Sequence, residues 1–169
     1  TEEELVAECP WAASGRKAGR KPNIISSLEL DPAKMEERNL SLQAKYQQIE
    51  ANEVRYEEFL CDDAEYLLIA FGSAARICQK TVEIARAEGI KVGLLRPISL
   101  WPFPTQAIAA YANRVKGMLS VELNAGQMVE DVRLAVEGTV NVAHFGRLGG
   151  IVFTPDEVLA ALKDKLINV

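Results

Sequence analysis

Histidine is almost missing from this chain: His144 is the only one among 169 residues. That count leaves no His-rich metal site and little room for a Ser-His-Asp arrangement. Cysteine is sparse too. Cys9, Cys61 and Cys78 are scattered, and no Cys-x-x-Cys occurs, so neither a zinc site nor an iron–sulfur cluster is readable. An odd number of isolated cysteines fits a reducing compartment, and a cytoplasmic location is expected. No run approaches the roughly 20 apolar residues of a membrane span. The opening TEEELVAE shows no signal-peptide pattern. Positive charge is not in excess either: the net charge is -5, which argues against nucleic acid as a partner. Neither G-x-G-x-x-G nor a Walker pattern is present. The first residue is Thr1 rather than Met, and the chain is expected to be a piece of a longer polypeptide.

What remains is an ordinary globular composition, 49% hydrophobic and 25% charged. A chain of this size buries roughly 70% of its unfolded surface and needs no covalent staples. Residues 1–30 read as an irregular linker. In it, Arg16, Lys17, Arg20 and Lys21 form a basic cluster among Gly, Ser and Pro. Such a cluster is either a solvated linker or a patch for an anionic partner. Residues 31–64 read as a long linker helix. Asp31 is placed to cap it, with Pro32 at its first position. Met35, Leu42, Ile49 and Tyr56 recur every seven residues, joined by Tyr46 and Leu60. That stripe is narrow, and it predicts a packing seam within the chain or on another subunit.

From residue 65 the pattern becomes strand–helix alternation. YLLIAFG, KVGLLRP, MLSVELN and VNVAHFG begin at residues 66, 91, 118 and 140. Helical patterns follow at 73–89, 104–117, 127–138 and 154–166. Unbroken apolar strands mean burial on both faces. Right-handed crossovers then give an open, mainly parallel sheet with helices on both faces. The last helix opens with the capping box Thr154-x-x-Glu157, with Pro155 between.

Ligands and partners meet such a sheet at the carboxyl ends of its strands. The candidate residues for anion binding or an interface are therefore Ser73, Arg76, Arg96, Trp101, Phe103, Glu122, Asn124, Gln127 and Arg147. Ser73 in FGSAAR reads as a helix cap or as part of a phosphate cradle. Asn124 reads as a cap with Gln127 reaching back. Glu122 ends a buried strand and needs a partner. Arg96 and Arg147 are the expected ones, which makes a buried ion pair a better reading than acid–base catalysis. GRLGG reads as a turn, or as an anion site through Arg147. No nucleophile–base pair is evident, and no catalytic or metal-binding residue is assigned. The run LRPISLWPFP stands at the same edge. Its prolines stiffen a loop that holds Trp101 and Phe103, either folded back on the domain or presented as a ridge.

At these loops the chain resembles a known family. GLLRPISLWPFP, SVELNAGQMVEDVRLAV and FGRLGGIVFTPDEVLAAL together resemble the C-terminal part of the alpha subunit of 2-oxoacid:ferredoxin oxidoreductases. DPAKMEERNLSLQAKYQQIEANEVRYEEF followed by DDAEYLLIAFGSAARI is most similar to the 2-oxoisovalerate branch. Residues 65–169 also resemble the C-terminal domain of transketolase. The resemblance implies oxidative decarboxylation of a 2-oxoacid to acyl-CoA, with thiamine diphosphate, magnesium and iron–sulfur clusters in the full enzyme. None of these cofactors is expected on this fragment, which lacks their motifs. Its expected role is structural, and it is not expected to turn over substrate alone. The implied partners are an N-terminal thiamine-binding domain of the same chain, other oxidoreductase subunits, ferredoxin and coenzyme A. Two other readings stay open: a stand-alone CoA- or nucleotide-binding domain, and the C-terminal domain of another thiamine enzyme.

Overall fold

The computed structural model describes residues 26–168. Cys9 and the basic cluster Arg16, Lys17, Arg20 and Lys21 lie outside them. The described residues fall into two units that part between Gln43 and Ala44. In the first, helix α1 (Pro32–Asn52, which continues past the division) begins as its sequence predicts. The Asp31 carboxylate accepts the Ala33 N–H at 3.0 Å, satisfying one of the donors that a helix start leaves without a partner. None of the residues of α1 is buried. Met35, Leu42 and Ile49 are half-buried, while Tyr46 is exposed.

The second unit carries a five-stranded sheet. Its elements are β1 (Tyr56–Phe59), β2 (Tyr66–Ile69), α2 (Gly72–Ala87), β3 (Val92–Pro97), α3 (Thr105–Ala109), β4 (Gly117–Glu122), α4 (Met128–Val136), β5 (Val142–Gly146) and α5 (Pro155–Leu162). A π-helical turn, Lys163–Ile167, follows α5. The strand order is β1-β3-β2-β4-β5. β2 to β5 are parallel, as their apolar runs predict. β1 is antiparallel to β3.

Three expectations need correction. The helix predicted through residue 64 ends at Asn52, and Tyr56 and Leu60 of the seven-residue stripe are not on it. Residues 56–59 instead form an edge strand whose Glu57 sits opposite Arg96. The two side chains pair at 2.9 Å. Glutamate favours helix locally, but strand pairing overrides that weak preference. The helix predicted at 104–117 shortens to five residues followed by turns. The one at 154–166 passes into a π-turn after Leu162.

Each strand side faces its own core. Leu68, Leu94, Leu119, Phe153 and Leu162 pack with α2 on one face. Leu67, Ile69, Leu95, Ile108, Met118 and Val132 pack on the other. Alternate residues of β2 thus serve opposite cores, as a doubly covered strand requires. Gly93 marks a close approach: a Cβ there would lie 2.8 Å from the Leu60 carbonyl oxygen. The turn after β1 therefore lies directly on β3.

Candidate functional site

The carboxyl ends of the parallel strands form one edge, and its loops are built in contrasting ways. At the β4–α4 junction Glu122 is 0% exposed. Ser120 and Glu122 lie two apart on β4 and so share a face. One carboxylate oxygen of Glu122 accepts the N–H groups of Gln127 (3.1 Å) and Met128 (2.9 Å). The other accepts the Val129 N–H at 3.0 Å and the Ser120 hydroxyl at 2.9 Å. Burial pushes this carboxyl up, but the Met128 and Gln127 amides and the Ser120 and Asn124 side chains outweigh it. The net direction is downward, so Glu122 stays ionised. An anion at a helix N-terminus is favoured by the exposed amides and the helix dipole. Here the strand supplies that anion itself.

The expected Glu122–arginine pair is therefore absent. Arg96 pairs with Glu57, and Arg147 pairs with Glu157. Arg147 meets Glu122 only through the backbone, its N–H donating to the Glu122 carbonyl at 3.3 Å. Asn124 does not cap α4 either. Its side-chain oxygen accepts the Gly126 N–H at 2.7 Å within the loop, and Gln127 occupies the cap position without a side-chain bond. The carboxylate of Glu122, five residues before Gln127, takes the place that both were expected to fill.

His144 sits across from Ser120 on β5. Its Nε2 lies 3.8 Å from a Glu122 oxygen and has no hydrogen-bond partner. The loop closes tightly here: a Cβ on Gly146 would fall 2.3 Å from the Asn124 carbonyl oxygen. Sequence reasoning set His144 aside as a lone histidine. Its spacing from Gly146 and its register on Ser120 become meaningful only once β4 and β5 are paired.

At β2–α2, Ser73 is not the cap. α2 begins at Gly72, whose φ of 56° suits glycine, and Phe71 holds the cap position with no side-chain bond. Ser73 and Arg76 are exposed. Arg76 and Arg96 line one small surface cleft of about 200 Å³, shared with Glu57 and Glu58.

After β3 comes the proline loop. Ser99 fastens it: its hydroxyl donates to the Pro102 carbonyl at 2.9 Å and accepts the Arg55 N–H at 2.9 Å. The Trp101–Pro102 bond is cis. The two aromatics part company. Phe103 packs against the core shared by α3 and α4. Trp101 is 55% exposed and meets Tyr46 edge-on, with ring centroids 5.6 Å apart. Beside it opens a groove of about 590 Å³, walled by Val54, Tyr56, Trp101 and Phe103.

After β5, Glu157 serves both its capping box and the Arg147 guanidinium. The Thr154 N–H donates to its carboxylate at 2.8 Å, and that bond, then Arg147, holds its carboxyl below the usual range. Leu148, Ile151 and Val152 project from this loop, and Ile98, Leu100 and Trp101 from the one after β3; all six are exposed. Among the described residues no cysteine offers a thiol at this edge. Cys61 and Cys78 are buried, and burial pushes both thiols up.

This edge, sealed at the β4–α4 junction and apolar at the loops after β3 and β5, belongs to a doubly covered sheet with one antiparallel edge strand. Solved structures share that class. A 2-oxoglutarate:ferredoxin oxidoreductase from Magnetococcus marinus, with 2-oxoglutarate, coenzyme A and succinyl-CoA bound, matches at a TM-score of 0.71 and 23% identity. The match covers 88% of this chain and 28% of that one. A split-gene transketolase, an inactive beta4 tetramer, matches at 0.56 and 16% identity over 65% of this chain and 41% of its own. The fold is thus that of a transketolase C-terminal-like domain. Within this class, residues 64–158 match the pyruvate:ferredoxin oxidoreductase core domain II, and the chain belongs to that family. A ketoisovalerate oxidoreductase subunit, VorB of Methanothermobacter thermautotrophicus, is 45% identical over 96% of this chain and 46% of its own length. The chain therefore spans about half the length of the curated relatives it matches.

Proposed function

We propose that this chain is the C-terminal structural and assembly domain of a 2-oxoacid:ferredoxin oxidoreductase subunit that acts on a branched-chain 2-oxoacid such as 2-oxoisovalerate. The observation that carries the reading is the 45% identity to a ketoisovalerate oxidoreductase subunit across 96% of this chain. In this proposal, residues 65–169 are the domain proper and 31–64 the linker that leads into it and lends it β1. Residues 1–30 are a further linker.

The full enzyme would convert a 2-oxoacid, coenzyme A and oxidised ferredoxin to acyl-CoA, carbon dioxide and reduced ferredoxin. Thiamine diphosphate would supply the carbanion chemistry, and iron–sulfur clusters the one-electron steps. In this proposal the described residues of this chain do not hold those groups. Among the described residues no three His, Cys, Asp or Glu side chains converge to hold a metal ion. The α4 N-terminus, whose amides could otherwise bind an anion, is filled by Glu122. The contribution left to the chain is contact. Trp101, Leu100 and Ile98 on one loop, and Leu148, Ile151 and Val152 on another, offer two apolar patches to the thiamine-binding domain or a neighbouring subunit. Arg96 and Arg147 orient within that edge rather than bind a free anion, because each already holds a carboxylate. The same pairing weakens the case for a stand-alone CoA- or nucleotide-binding domain.

The test is assembly of the intact subunit with its partner subunits and ferredoxin. Ketoisovalerate-dependent ferredoxin reduction is expected only when residues 65–169 are present. Equal turnover by an enzyme lacking them would refute the proposal.

A further inference from the structure

The two edges of the sheet are finished differently. β1 carries Glu57 and Glu58 within its four residues. Charge on an edge strand discourages a further strand from adding. β5, VAHFG, is the opposite edge and has no Lys, Arg, Asp, Glu or Pro. All its residues are half-buried, whereas every residue of β4 is buried.

The hydrogen-bond phase shows what this edge offers. Met118 N–H donates to the Asn141 carbonyl, and Arg147 N–H to the Glu122 carbonyl. In a parallel ladder alternate residues turn to the same neighbour. Residues 141, 143, 145 and 147 therefore spend their backbone groups on β4. The N–H and C=O groups of Val142, His144 and Gly146 point away from the sheet, and no partner for them occurs among the described residues. Beside this row lies a cleft of about 450 Å³ between β5 and α5. Phe145, Ala160 and Ala161 line it together with the charged Arg147, Glu157 and Asp164. An added strand would bond to the outward row and send alternate side chains toward that cleft.

The geometry points to an extended segment of the same polypeptide, from the part of the subunit that this chain does not include, as the strand that completes the β5 edge. A second copy is the weaker occupant. A stable interface takes roughly 20–30 residues a side, and β5 has five. A tethered segment needs no such area, because its effective concentration is high. The relative above has room for it, since this chain matches only 46% of its length. The inference rests on the reading of this chain as part of a longer subunit.

Residue-resolved hydrogen exchange on the intact subunit in its native complex, together with its intact mass, tests it. The Val142, His144 and Gly146 amides are expected to exchange about 100-fold more slowly than free ones, independently of protein concentration. Val142→Pro removes an outward N–H but no bond to β4, so it is expected to speed exchange at His144 and Gly146 about ten-fold. Free exchange at the three amides of a longer polypeptide would overturn the inference and leave the longer-subunit reading standing. So would protection that grows with concentration, protection that appears only on adding another subunit, or exchange unmoved by Val142→Pro. An intact mass equal to this chain alone would overturn both.

Discussion

The β4–α4 junction and the β3–α3 loop lie on the same edge of one sheet, yet they spend their side chains in opposite ways. At β4–α4 the polar side chains of the strand, Ser120 and Glu122, turn inward. Glu122 answers three backbone amides and the Ser120 hydroxyl, and Gly146 lets the loop close over it. At β3–α3 the polar groups only fasten the loop, through Ser99, and the largest side chain faces out. At the first junction the Glu122 carboxylate, with four donors on it, has no lone pair left for a ligand. The second has apolar surface left for a partner. An edge that positions catalysts in many α/β proteins is here divided between internal stability and docking.

The largest effect should come from breaking the sealed junction. Glu122→Leu strands three amide donors and a hydroxyl in the interior. The expected loss is about 4 kcal/mol in denaturant unfolding of the intact subunit. Glu122→Gln keeps the shape and part of the acceptor capacity, and should recover about half of that loss. Gly146→Ala comes next. Its methyl group would press on the Asn124 carbonyl oxygen, and because backbone must move, about 2 kcal/mol should be lost.

Acid sharpens the same contrast. The folded state holds the Glu122 carboxyl below its ordinary value. Its contribution is therefore complete above the unfolded glutamate pKa of about 4.3 and disappears as pH falls through the lower folded value. Unfolding followed from pH 6 downward should show that loss in the natural protein, and a flatter profile in Glu122→Gln. An identical slope in both would mean that the buried carboxylate is not the group that titrates.

On the open side the two aromatics should separate. Phe103→Ala removes a ring packed on the core and should cost about 3 kcal/mol. Ser73→Ala should change stability by less than about 0.5 kcal/mol, since its hydroxyl caps nothing. A larger loss would restore the helix-cap reading of FGSAAR.

Much of this was legible in the residues. Four apolar runs at regular intervals marked the parallel strands, because burial on both faces leaves no alternation to confuse with a half-exposed sheet. Thr154, Pro155 and Glu157 announced their helix, since a capping box is local chemistry. Asp31 and Pro32 did the same. β1 was hidden because YEEF is a strand only by virtue of Arg96 and the rest of β3, whose paired residues lie 35 or more positions away in the chain. Glu122 could be recognised as a carboxylate in need of partners. Its actual partners are backbone amides, which leave no mark in a sequence, whereas arginines do. His144 was overlooked for the same reason, as its position beside Glu122 comes from register.

The central claim is that the β3–α3 loop serves assembly and not the core. It is tested most directly by Trp101→Ala in the intact subunit, with the unfolding free energy and the affinity for partner subunits measured side by side. The account predicts a stability loss below about 1 kcal/mol, because the ring is already more than half exposed, and at least a roughly ten-fold weaker association. Unchanged association with a loss of about 3 kcal/mol, the size expected when a large core side chain is truncated, would contradict it.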